Sequence, residues 1–157
     1  MALPDALRRD NILPSCVLRQ LLVAISAAQL AVGVIGQLVA VRERRSFEIF
    51  RWHGNPEDVA RDSWFMGTGL SAPVSMLAVQ VGAIAVLARR ASRPAAAALA
   101  GLGLMMVVGS LLENKIRSAI REPGADRVVT VVAGLGLGLA VGMVVVGVPT
   151  ARSAGIR

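Results

Sequence analysis

Few residues in this chain of 157 are equipped for chemistry, and most of those lie in one stretch. The single histidine, His53, precedes Glu57, Asp58 and Asp62, a set able to supply a general base with orienting carboxylates. Clusters of this kind more often make an ordinary solvated loop. One histidine does not provide bis-histidine haem ligation or a conventional multi-histidine metal site. The single cysteine, Cys16, leaves no internal disulfide, no CxxC redox pair and no Cys-cluster metal centre; it reads as an inert thiol near a helix start. There is no phosphate-cradling glycine loop after a strand and no Ser/His/Asp order that suggests a triad. No catalytic residue, metal ligand or cofactor is therefore assigned.

The same stretch holds all five aromatic residues, Phe47, Phe50, Trp52, Trp64 and Phe65. Arg42, Arg44, Arg45 and Arg51 interleave with the first three. Aromatic rings favour the membrane–water interface, and arginine favours anionic headgroups. Residues 42–63 thus read as an interfacial loop. Phe47, Phe50, Arg51, Trp52, His53 and Trp64 form a candidate interface, because Trp/Arg-rich patches are the composition of binding hot spots.

Everything outside that loop is built to position it in lipid. The chain is 55% hydrophobic and 17% charged, and its 16 glycines raise the apolar share to about two thirds. A soluble domain carries about 25% charged residues. The net charge of +7 would suggest nucleic acid in a soluble protein, but here the bases flank apolar runs, as membrane topology requires. No nucleic-acid partner is expected.

Four apolar runs free of Asp, Glu, Lys, Arg and His are expected to cross the bilayer: Leu21–Val41, Phe65–Ala88, Ala95–Leu112 and Val128–Val148. The expected fold is all-α, an integral membrane four-helix transmembrane bundle forming a single domain over residues 1–157. Pro14 is placed at the first helical position of span one and Asn55-Pro56 at a helix start leading into span two. Pro73 is expected to kink span two. Ser92-Arg93-Pro94 opens the third helix, which is expected to project beyond the bilayer over residues 113–122. Asp126 is the expected N-cap of the fourth.

Four spans put both termini on one side. Lys and Arg number eight on the terminal side and nine on the other, so the positive-inside rule does not set the orientation. The density of Arg89, Arg90 and Arg93 favours cytoplasmic termini. The predominance of arginine, alanine, glycine and valine fits a bacterial plasma membrane protein.

Helices in lipid associate through close packing and hydrogen bonds. Gly134, Gly138 and Gly142 recur every four residues and predict a helix-packing groove, whether within the bundle or against a second copy. In span one, Ser26, Gln29, Gly33, Gly36, Gln37 and Ala40 share an arc that should face protein or water. In span two Gly67, Thr68, Ser71, Ser75 and Gly82 form a similar arc. Gln80 points away from it and calls for another partner, such as a second subunit.

These features favour a non-enzymatic accessory or interaction subunit whose partners are the bilayer and either another membrane protein or a second copy. The alternatives are a small oligomeric transporter or channel with a polar pathway along span one, and a membrane enzyme acting on a lipid or quinone.

Overall fold

A computed structural model describes residues 14–42, 48–49, 52–53, 72–112 and 127–154. Four helices account for nearly all of them: α1 (Ser15–Arg42), α2 (Val74–Arg89), α3 (Arg93–Leu112) and α4 (Arg127–Ser153). Between α1 and α2 lie two short strands, β1 (Glu48–Ile49) and β2 (Trp52–His53). They pair antiparallel, with Ile49 opposite Trp52 and Glu48 opposite His53. This ladder was not legible as a strand pair in the interfacial loop, where isoleucine and tryptophan nevertheless favour extended backbone. Phe47, Phe50, Arg51 and Trp64 lie outside the described residues, as do Asn55-Pro56, Asp126 and the expected helical extension 113–122.

Each helix packs on the two beside it, in the cyclic order α1, α2, α3, α4, and the α3–α4 and α1–α4 seams are the most extensive. α1, α3 and α4 are long and apolar enough to cross a membrane, over Ser15–Val39, Arg93–Leu112 and Thr130–Ser153. α2 is shorter, at 16 residues. At 1.5 Å per residue it is about 24 Å long, against a hydrocarbon core of about 30 Å.

Proline chemistry sets two of the starts differently from the sequence expectation. Pro73 does not kink a long second helix; it stands at the N-cap of α2 with φ −52° and ψ 142°. Its carbonyl accepts the Met76 and Leu77 N–H groups at 2.9 and 3.2 Å. An extended ψ at that position starts a helix rather than bending one, so the described helix begins at Val74. Pro14 likewise lies just outside α1, its carbonyl accepting Val17 and Leu18 N–H at 2.8 and 3.1 Å. Ser92 opens α3 as expected from its residue type, with its carbonyl bonded to Ala96 N–H and its Oγ to Ala95 N–H at 3.4 Å. α4 continues through Pro149, past the expected end at Val148. Thr150 Oγ1 donates to the Val146 carbonyl at 2.7 Å in the turn that Pro149 interrupts.

The outward faces are aliphatic. Ile35 and Leu38 on α1, Val79 and Val81 on α2, Leu104 and Met105 on α3, and Leu135 and Val145 on α4 are each at least half exposed. In water such a surface would aggregate; in lipid it is solvated. Inside, Leu22, Ala83, Leu87, Ala95, Ala96, Leu99, Leu102 and Met143 form one apolar cluster. Leu77, Met106 and Ala140 form a second, at the other end of α2 and α3.

Candidate functional site

Between those two clusters the four helices meet in a polar layer. On α1 the buried residues are Leu18, Leu22, Ser26, Gln29, Gly33 and Gly36, spaced three or four apart, so the buried stripe is the one bearing the polar groups. Gln37, one turn after Gly33, is half-buried. On α2, Leu77, Gln80, Ala83 and Leu87 make the inward face, and Gln80 is fully enclosed.

Hydrogen bonds join the layer across helices. Gln80 Nε2 donates to the Ser26 carbonyl at 2.8 Å and lies 3.9 Å from Met143 Sδ. Gln29 Nε2 donates to Met106 Sδ at 3.4 Å. A Cβ placed on Gly103, one turn from Met106, would lie 2.8 Å from Met143 Cβ. Ser26, Gln80, Met143, Gly103, Met106 and Gln29 thus close a ring through all four helices.

The ring corrects the placement of Gln80. Its partner is the backbone of α1 in the same chain, not a second subunit. The face bearing Ser75 and Gly82, expected to be the counterpart of the α1 stripe, is the exposed one. The physical reason is the relative cost of burial and exposure. A glutamine amide carries two donors and two acceptor sites and is expensive in hydrocarbon, whereas a serine hydroxyl can bond its own helix and glycine adds no polar atom.

The ring is only partly satisfied. Ser26 Oγ, Gln29 Oε1 and Gln80 Oε1, and beyond the ring Gln37 Oε1, are buried and have no hydrogen-bond partner among the described residues. Thioether sulfur is a weak acceptor, so the amide N–H groups that face Met106 and Met143 are held loosely.

Close backbone approaches also fall elsewhere than the glycine spacing suggests. Nothing described lies within 4 Å of a Cβ placed on Gly134 or Gly138, and both residues are exposed. Gly142 faces α1, where its added Cβ would meet Ile25 Cγ2 at 3.3 Å. The tight points are Gly103, whose Cβ would lie 2.7 Å from the Ala140 carbonyl oxygen, and Gly147, whose Cβ would lie 2.8 Å from Ala100 Cβ. Neither belongs to a recurring glycine pattern. The available signal was the set of small residues that each helix turns towards the other: Ala96, Ala100 and Gly103 on α3, Ala140 and Gly147 on α4.

A concavity of about 250 Å³ opens at one end of the bundle. Ser15, Cys16 and Arg19 of α1 line it, with Ser92 from the α2–α3 turn and Thr150 and Ser153 of α4. The start of α1, the turn around Ala91 and the end of α4 therefore lie together. Cys16 is a free, exposed thiol there. Nothing in the residue types alone pointed to this cleft, because it is assembled from three segments distant in sequence.

Comparison with protein-family models, curated proteins and solved structures gives no match. Among the described residues no group of three or more His, Cys, Asp or Glu is placed to hold a metal ion. Of the candidate interface, Trp52 and His53 are described as the backbone of β2, adjacent to each other opposite Ile49 and Glu48.

Proposed function

We propose that this polytopic membrane protein is a non-enzymatic accessory or interaction subunit. It sits in the bilayer as a single four-helix domain and presents residues 42–63 to a partner. The observation that carries this reading is the engagement of Gln80 with the Ser26 backbone. The one amide in the apolar stretch of α2 is used to hold helices together, and the outward faces carry aliphatic groups suited to lipid. Recognition chemistry is then concentrated in the aromatic, arginine-rich segment containing Phe47, Phe50, Arg51, Trp52, His53 and Trp64.

A photo-crosslinker at position 52, used in native membranes, tests the proposal. The expected result is a discrete protein adduct, and Trp52→Ala should lose that partner while the helices stay folded. Labelling of lipid alone overturns it. Membership of a bacterial plasma membrane with cytoplasmic termini belongs to the same reading. It draws support from Arg89, Arg90 and Arg93 lying at the bundle end shared by Ser15 and Ser153.

A second reading, a small-solute pathway, is favoured by one observation: four buried oxygens free of protein partners along α1 and α2. Solute flux in liposomes that disappears in Gln29→Leu supports this reading against the first.

A further inference from the structure

The polar ring has an excess of acceptors. Ser26 and Gln80 are fully buried and Gln29 is 7% exposed, yet Ser26 Oγ, Gln29 Oε1 and Gln80 Oε1 have no protein hydrogen bond. Rotating the amide of Gln80 does not help, because its Nε2 is fixed by the Ser26 carbonyl and the exchange would set two acceptors face to face. An unpaired buried polar group costs about 1–3 kcal/mol, so three of them weigh heavily against a total stability of about 5–15 kcal/mol. The helices around the ring supply no spare donor, since their backbone N–H groups are committed to their own ladders.

We propose that the ring is a water-binding site inside the bundle, holding a pair of water molecules against Ser26, Gln29 and Gln80. The hydrogen-bond count closes. Two waters bring four O–H donors; three satisfy the three oxygens and the fourth joins one water to the other. The Ser26 hydroxyl proton and the second Gln29 N–H then go to the water oxygens. Each water makes at least two polar contacts, within the range of ordered internal water. Met106 and Met143 border the site, and their unbranched side chains can change rotamer to make room for a small guest. A neutral guest suits a ring that has no ionisable side chain. The assignment is independent of whether the protein docks a partner or passes a solute.

X-ray radiolytic footprinting of the full chain in lipid nanodiscs tests this, because water activated in place oxidises the methionines beside it. Met105, 61% exposed on the lipid-facing side of α3, is the internal reference. Met106 and Met143 are expected to oxidise severalfold faster than Met105, and to fall to its rate in the double variant Gln29→Leu/Gln80→Leu with helicity retained. Equal rates at all three methionines in the unaltered protein overturn the proposal, as does fast oxidation that persists in the double variant. If the double variant does not fold, Ser26→Ala decides in its place: slower oxidation at Met143 supports the site, and an unchanged rate refutes it.

Discussion

The α3–α4 seam allows a quantitative test in which two alanines are set against each other. A Cβ added at Gly147 would lie 2.8 Å from Ala100 Cβ, 3.2 Å from its Cα and 3.3 Å from its backbone nitrogen. Carbon atoms rest at about 3.5–4.0 Å, so the shortfall at the nearest atom is about 1 Å. None of these atoms can rotate aside: the backbone is fixed in α3 and a methyl has no alternative rotamer. The helices must separate, and overpacking of this kind costs about 1–3 kcal/mol. A methyl at Gly138 meets nothing described within 4 Å. Both changes gain the same helix propensity, about 1 kcal/mol in favour of alanine over glycine. The propensity gain cancels in the comparison. Gly147→Ala is thus expected to be less stable than Gly138→Ala by about 1–3 kcal/mol. Helical ellipticity followed through a denaturing-detergent titration in mixed micelles reads the difference. Equal stability, or a more stable Gly147→Ala, would refute the close approach of these two helices.

Two further outcomes are expected. Gln80→Leu loses the bond to the Ser26 carbonyl but also removes a buried amide oxygen that no described protein group satisfies, so its stability in the same titration should lie within about 1 kcal/mol of the parent; a loss of several kcal/mol would mean that the ring depends on the amide far more than its contacts imply. Cys16 in the parent, and a cysteine placed at Ala91 in a Cys16→Ser background, should react with a membrane-impermeant maleimide from the same side of sealed vesicles; opposite sides contradict the arrangement in which α1 begins beside the α2–α3 turn.

Much of the bundle was legible in the sequence because a bilayer simplifies the code. Runs without charge give the helices, and Ser26, Gln29, Gly33 and Gly36 stand out against Leu, Val and Ala as one stripe. Direction was harder to read than existence. The stripe on α2 could be drawn through Ser75 and Gly82 or through Gln80, and sequence spacing weighs all three alike, whereas the cost of an amide in lipid does not. Gly134 and Gly138 illustrate the same limit. Spacing identifies a flat face but carries no information on whether another helix lies across it. Pro73 admits both a kink and a boundary, and the choice depends on the backbone angle it takes. The cleft beside Cys16 requires three chain segments to meet, a tertiary fact with no local trace.

The contact at Gly103 has a consequence for motion. A Cβ there would lie 2.7 Å from the Ala140 carbonyl oxygen and 2.8 Å from Met143 Cβ, so only the hydrogen of glycine fits between the helices. This brings the two helix backbones into direct contact at Gly103. Because no side chain mediates it, rotamer changes cannot loosen it. α3 and α4 are therefore held together backbone to backbone, at Gly103 and again at Gly147. α2 has the smaller seams, and in the middle of the bundle it meets α4 through the Gln80–Met143 amide-to-thioether contact, which can slip to another partner at little cost. The packing is therefore closest between α3 and α4 and most yielding at α2, with the polar ring where α2 meets the rest of the bundle.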